Sequence, residues 1–537
     1  MITMIKTART WISVFFLICN SNFVLADVAS DTEKLLNWAE SKYPEFFPGH
    51  SATQTNIEPW LYRFYPGTGV YAGVNKSDNG TYTLGGPFGN NPVFIDSLSN
   101  LISKIPTGNW QGAKPVHRQA SQFFDRLEVA ISTNGDAVAV WLENDAGTGI
   151  NSVWGMHYSA ATDAWGAPTL LDSGAQSAYE PKVAMDGNGN AVVVWMQQLG
   201  VEFNASAAHY RVGSGWEAAV LLENENSAVN GGFQQSSVAM DNAGNAIAVW
   251  SQRIGVQSYI YANRYTPGQG WGTAKSIDLP DTPGELDLSF NPKVAINNSG
   301  NAVAMWSVST SSFKVRHYQV SSDTWDSAFT DLGPGITPEI AISDNGNAVV
   351  VAPGRANSAE LYQVLAWYYK PNTGWGTTGT ILDQGRVEQV RSPVRVAMNA
   401  SGNAVASWSQ LDSSGVVSAF ANYFENGQWG GPTIVEGNNT SEVEDQGVEA
   451  GIDSSNRAFL VWRQVARDGS SRNNWSSIKQ SGSNNWNASS LEPEPLIPRS
   501  LTLPRLAVSS TGKAITAWMH HDETNLTGNY LVTNLFK

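Results

Sequence analysis

The sequence predicts an all-β protein: an eight-bladed β-propeller closed by strands from both termini, preceded by a small α+β domain. Three observations carry this expectation. A phrase like "VAMDNAGNAIAVW" recurs eight times between residues 129 and 518, and fixed periods of this size mark arrays and propellers. Each recurrence but the last is followed by strand-like segments and a second tryptophan. The last repeat lacks that second tryptophan, and an extra one stands ahead of the first repeat.

The chain begins with features of an export signal over residues 1–26. Lys6 and Arg9 form a basic start, Trp11 to Cys19 an apolar run, and Val24-Leu25-Ala26 a cleavage site. That run is too short to span a bilayer, so no membrane insertion of the mature chain is expected. Cys19, the only cysteine, falls inside the signal. A mature chain without cysteine excludes disulfides, thiol catalysis and cysteine-ligated metal. Losing residues 1–26 removes two basic residues and no acid, which moves the net charge from −15 to −17. Such a surface repels nucleic acid and anionic membranes. The expected location is secreted, periplasmic or cell-surface.

Residues 27–105 stand apart from the repeat. Ser30 and Glu33 make a capping box that opens a helix through "TEKLLNWAESKY", which stops before Pro44. "WLYRFY", "VYAGVN" and "TYTLGG" read as strands, with turn chemistry at Pro66-Gly67-Thr68-Gly69. "VFIDSLSNLISKI" has helical spacing and closes the domain. The segments "LLNWAESKYPEFFPG", "YRFYPGTGVYAGVN" and "LGGPFG" resemble a small module of unassigned activity found in exported bacterial proteins. That resemblance implies bacterial export and a modular protein. The aromatics Trp38, Tyr43, Phe46, Phe47, Trp60, Tyr62 and Tyr65 read as the core of this domain, with a sugar-stacking surface as the alternative.

From residue 107 to 537 each repeat opens with two alternating segments around a tight turn. The turn glycines are Gly135, Gly189, Gly244, Gly300, Gly346, Gly402 and Gly512, with Asn456 in the seventh repeat. Three places earlier stands Ser132, Asp186, Asp241, Asn297, Ser343, Asn399, Asp453 or Ser509. A short polar residue first and a left-handed residue fourth specify a type I turn. Alanine follows every turn, from Ala137 to Ala514, which implies crowding where inner strands converge. Four places on is Trp141, Trp195, Trp250, Trp306, Trp408, Trp462 or Trp518, with Ala352 as the exception. A strand bearing an aromatic follows, then the second tryptophan: Trp165, Trp216, Trp271, Trp325, Trp375, Trp429 or Trp486. About four strands per repeat is the unit of a propeller blade. Trp110, in "NWQGAKPV", supplies the missing eighth. A last blade completed by an N-terminal strand also removes the open edges of the array.

The hairpin resembles the "VAVDxxGNxYV" hairpin of NHL-type propeller repeats over about a dozen residues each. The tryptophans and the longer period depart from that family, so its partners are not implied.

Candidate chemistry is sparse. Asp186-Gly187-Asn188-Gly189-Asn190 resembles a short calcium loop but lacks the further acids and closing glutamate of an EF-hand. Because Ser and Asn take the same place elsewhere, the position reads as a hydrogen-bond acceptor, with calcium as a weak alternative and no cofactor otherwise expected. His157, His209 and His317 are repeat-equivalent and so lie on different blades, which argues against a shared metal. Acids gather in the variable segments before the hairpins: Asp278, Asp281, Glu285 and Asp287; Glu442, Glu444 and Asp445; Glu492 and Glu494. They read as a solvated rim, with a paired-carboxylate hydrolase as the alternative. Two residues past the first tryptophan stand Glu143, Gln197, Gln252, Gln410, Gln464 and His520. Tryptophan and amide could form repeated sugar sites. Alternatively, the ring packs between blades and the amide serves loop backbone.

The expected function is an exported, non-enzymatic binding protein that presents its loop face to a protein or glycan. A propeller glycoside hydrolase or lyase and a calcium-stabilised cell-surface structural protein are the alternatives.

Overall fold

The computed structural model describes residues 109–119, 124–145, 147–223, 235–254, 257–278, 288–308, 312–354, 363–383, 390, 393–436, 441–444, 447–466, 472–483, 485–491, 502–521 and 529–537, together with five strands nearer the N-terminus. Two units divide the chain, Met1–Asn109 and Trp110–Lys537.

In the first unit, Thr53–Ile57, Trp60–Tyr65, Val70–Lys76 and Thr81–Gly85 form an antiparallel meander, with Phe16–Ile18 paired to its last strand. The strands expected at 60–65, 70–75 and 81–86 are present with nearly those bounds. The helices expected over 32–43 and 93–105 lie outside the described residues.

The second unit is an eight-bladed β-propeller. Blade 2 shows the pattern. Ala178–Met185, Ala191–Leu199 and Glu202–Arg211 are consecutive antiparallel strands, and Gly215–Trp216 with Val220–Leu221 pair along the outer side of the third. The fourth strand is thus broken by a one-residue slip. Blades 1 to 6 repeat this order over residues 124–434, whereas in blade 7 the first strand is split into Ser441–Val443 and Glu449–Ile452 and the fourth, Trp486–Ser490, is continuous. In blade 8, Arg505–Val508, Ala514–His521 and Asn529–Phe536 are completed by Lys114–Gln119, which pairs antiparallel with Asn529–Phe536. A bridge from Trp110 to Phe536 extends that pairing. The first strand of every blade packs against the first strands of both neighbours, blade 8 against blade 1 included. The ring is therefore closed, with the first strands innermost.

The hairpin turns form as their residue types require. In all eight, the backbone N–H of the fourth residue donates to the carbonyl of the first at 2.9–3.4 Å. The fourth residue has positive φ throughout, from 66° at Asn456 to 96° at Gly189, where glycine or asparagine is the least strained choice. Asp186 Oδ1 accepts the N–H groups of Asn188 and Asn190, each at 2.9 Å. The equivalent Asp241, Asn297, Asn399 and Asp453 do the same. Successive turns also bond to one another. Asn298 N–H donates to Asp344, Asp344 N–H to the carbonyl of Ala400, and the Thr511 hydroxyl to the carbonyl of Thr133.

The second strands are buried on both faces. Val138 and Val140 of blade 1 pack with Val193 and Trp195 of blade 2, while Ala139 and Trp141 pack with Ala517 and Met519 of blade 8. All seven first-type tryptophans are at most 1% exposed. The alanine after each turn is also fully packed, from Ala137 to Ala514, so a larger side chain there would force apart closely packed neighbours. Ala352, which replaces the tryptophan in blade 5, sits in one cluster with Phe313 and Trp367. Those two rings meet edge to face at 5.0 Å, and aromatic volume from other strands takes up the space.

Candidate functional site

The polar residues past the tryptophans lie beneath the surface. Gln197, Gln252, Gln410, Gln464 and Glu143 are 0–7% exposed, and His520 is half-buried. The indole N–H of Trp195 donates to Gln197 Oε1 at 2.9 Å, that of Trp250 to Gln252 at 3.2 Å, and that of Trp408 to Gln410 at 2.9 Å. Trp141 makes a longer contact of 3.5 Å with Glu143. The Gln197 amide nitrogen then donates to the backbone carbonyl of Gln176 at 2.8 Å. A buried indole N–H needs an acceptor, and a residue two places along the strand shares its face. At Gln197 the amide thus joins the tryptophan to loop backbone. Where blade 4 has Val308 at this place, the Trp306 N–H has no partner among the described residues.

Gln464 differs, because its amide donates to Glu436 Oε2 of the preceding blade at 3.0 Å. Glu436 belongs to a repeated set of which the sequence singled out only Asp278, there as part of a solvated rim, although Asp278 is buried. After the buried aliphatic ending the fourth strand comes an acid: Asp172, Glu223, Asp278, Asp383 or Glu436. Asp172 accepts the Val153 N–H at 3.0 Å, Asp383 the Val364 N–H at 3.4 Å, and Glu436 the Ala419 N–H at 3.3 Å. Burial pushes the carboxyl of Glu223 up to about 7 and that of Asp278 up to about 6, and it also raises Asp172 and Glu436. Raised carboxyls are a usual sign of acid–base chemistry. Here the acid recurs in five blades, and at Asp172, Asp383 and Glu436 its partner is a backbone N–H of the third strand, the pattern of a structural cap on that strand. Asp281, Glu285, Asp287, Asp445, Glu492 and Glu494 lie outside the described residues. Glu444 pairs with Arg463 and Arg472.

The three equivalent histidines join neighbouring blades. His157 stacks on Tyr210 at 4.2 Å, while His209 meets Tyr265 at 4.1 Å and His317 meets Tyr369 at 4.0 Å with tilted rings. The Trp375 indole N–H also donates to His317 Nε2 at 3.1 Å, which makes that nitrogen the unprotonated one. Burial lowers all three imidazole pKa values, that of His209 to about 4. Among the described residues no group of three His, Cys, Asp or Glu is placed to hold a metal.

The most organised electrostatic feature is on the inner rim. Seven residues before each turn glycine, or before Asn456 in its place, stand Glu128, Lys182, Ser237, Lys293, Glu339, Arg395, Glu449 and Arg505. Ring closure brings these residues together across blade boundaries. Glu128 pairs with Lys182 and, at 3.7 Å, with Arg505. Glu339 pairs with Lys293 and Arg395, both at 3.0 Å. Glu449 pairs with Arg395 at 3.1 Å and Arg505 at 2.8 Å. These side chains remain 20–28% exposed. Burial would raise the Glu128 carboxyl, but Arg505 and Lys182 outweigh it and hold the group down at about 2. Glu449 is lowered in the same way by Arg395 and Arg505, while Glu128 and Glu449 raise Arg505. A repeat of identical residues is easy to see in a sequence. A repeat that alternates in sign is visible only when the positions are aligned on the turn.

No protein-family model matches the chain, and no curated protein matches it in sequence. Solved structures are similar to it at low identity. A protein of unknown function from Dyadobacter fermentans is 12% identical, with 81% of this chain and all of that chain covered and a TM-score of 0.37. The Dos1 propeller is 9% identical, with 79% and 95% covered and a TM-score of 0.46. The Aleuria aurantia lectin is 12% identical, with 58% and 96% covered and a TM-score of 0.32. A polysaccharide lyase and a peptidase occur among the same neighbours.

Proposed function

We propose that the chain is an exported, non-enzymatic binding protein. Its propeller presents to a protein or glycan the face carrying the connections between blades. One observation supports this reading above others: the two faces of the ring differ in kind. The hairpin face is eight near-identical turns bonded to one another. The connections between blades leave from the opposite ends of the strands and range from the short 335–338 to the long 222–235 and 491–504, and beyond the acid near the start of several of them they share no common sequence. Variable segments on a rigid scaffold are where recognition concentrates. The repeated polar groups are engaged within the fold: turn acids with backbone, amides with indoles or a neighbouring carboxylate, and rim carboxylates with guanidinium and ammonium groups. None of these sets presents two converging carboxylates ready to exchange protons with a substrate, which weighs against a hydrolase.

The test is a glycan array probed with the mature protein, with calcium and again with chelator, beside a pull-down. Reproducible capture of related glycans in both buffers, or of one protein partner that connection-face substitutions release, supports the reading. Turnover of a captured glycan, or binding that hairpin-face substitutions abolish, overturns it.

A further inference from the structure

The inner rim alternates in charge at every place but one. Three glutamates each stand between two cations: Glu128 between Arg505 and Lys182, Glu339 between Lys293 and Arg395, and Glu449 between Arg395 and Arg505. The fourth such place, between Lys182 and Lys293, holds Ser237. The rim therefore carries four cations and three carboxylates, and its unbalanced positive charge falls at a short, half-exposed side chain. We propose that Lys182, Ser237 and Lys293 form a site for one carboxylate of a small anionic ligand, which completes the alternation.

The chemistry at each residue suits this occupant. Both ammonium groups engage the glutamate on their far side, but a lysine has three N–H donors and a flexible stem, so each can also serve a second oxygen. The Ser237 Oγ accepts the Val294 N–H at 3.4 Å, which ties the hydroxyl to the neighbouring first strand and leaves its own proton to donate. Lys293 also lowers the Glu128 carboxyl from beyond Ser237, so the positive field spans the gap. The rim cations are partly exposed, so a soluble anion can reach them. A planar carboxylate accepting several charge-assisted hydrogen bonds is what the other three places already hold. This site is separate from the connection face and does not rest on the binding reading given for it.

The experiment is calorimetric titration of the mature protein with D-glucuronate at fixed ionic strength, with D-glucose as the neutral control and chloride as the simple anion. Saturable binding of glucuronate alone is expected. Ser237→Glu supplies the missing carboxylate from within and is expected to weaken binding by about tenfold or more, the scale of one charge-assisted contact. If that variant does not fold, the double substitution K182Q/K293Q replaces it. There Glu128 keeps Arg505 and Glu339 keeps Arg395, and binding is again expected to be lost. Absence of saturable binding, equal response to glucose or chloride, or unchanged affinity in the variants would each overturn the site. A glycan-array result on the connection face that is unaffected by Ser237→Glu keeps the two readings distinguishable.

Discussion

Replacing Glu128 by glutamine removes a rim carboxylate while keeping its shape. The carboxyl is held at about 2, against an ordinary 4.5. At 1.36 kcal/mol per unit, that difference corresponds to about 3 kcal/mol of folding stability at neutral pH. Its side chain is 21% exposed, so solvent screening brings the expected loss to about 2–3 kcal/mol. The sign with pH is fixed as well. A carboxylate lowered on folding stabilises above its unfolded pKa, and the contribution is lost as pH falls from about 4.5 toward 2. The gap between the native protein and Glu128→Gln in urea denaturation is expected to be full at pH 7 and less than half as large at pH 3. Glu217→Gln is the control, since it breaks an ion pair to Arg211 in which both partners are more than 40% exposed. That change should cost about 0.5 kcal/mol or less. A Glu128→Gln gap no larger than this control, or one that does not shrink with acid, would refute the assignment of the rim as a stabilising ring.

Three further outcomes follow from the packing. Gln410→Ala strips the Trp408 indole N–H of its 2.9 Å acceptor in a fully buried setting. It should cost about 1–3 kcal/mol in thermal or chemical unfolding and leave ligand capture by the folded protein unchanged. His209 is lowered to about 4, so the folded state resists a proton that the unfolded chain takes up near 6.5. Stability should fall as pH drops from about 6.5 to 4, by up to about 3 kcal/mol, and His209→Phe should remove that part of the slope in unfolding measured across the range. Glu223 is raised to about 7, which opposes folding as pH rises from about 4.5 through 7. Glu223→Gln should therefore stabilise the protein at pH 8 by up to about 3 kcal/mol and be near neutral at pH 4, as denaturation at the two pH values would show.

Much of the architecture was legible because it rests on local rules. The turn needs an acceptor first and a left-handed residue fourth, so Asp186 and Gly189 announce it without any tertiary information. Trp110 lay out of place in the chain, and only a blade shared by the two termini gives it a partner, which the bridge to Phe536 supplies. The broken fourth strand escaped notice because a one-residue slip leaves no signature in short segments such as Gly215–Trp216 and Val220–Leu221. The site residues were only half legible. Spacing placed Gln197 on the face of Trp195, but whether that face meets solvent or a neighbouring blade depends on packing. The rim was hidden for a different reason. Glu128 and Arg505 lie 377 positions apart in the chain, and the alternation from Glu to Lys or Arg looks like ordinary surface variation until the ring closes.

Closure underlies both the rim and the assignment of faces, and amide hydrogen exchange on the intact protein tests it most directly. If Lys114–Gln119 is the outer strand of the last blade, its amides that bond to Asn529–Phe536 should be protected together with that strand and be released in the same unfolding event. Rapid exchange across residues 114–119 while 529–536 stays protected would contradict a closed eight-bladed ring.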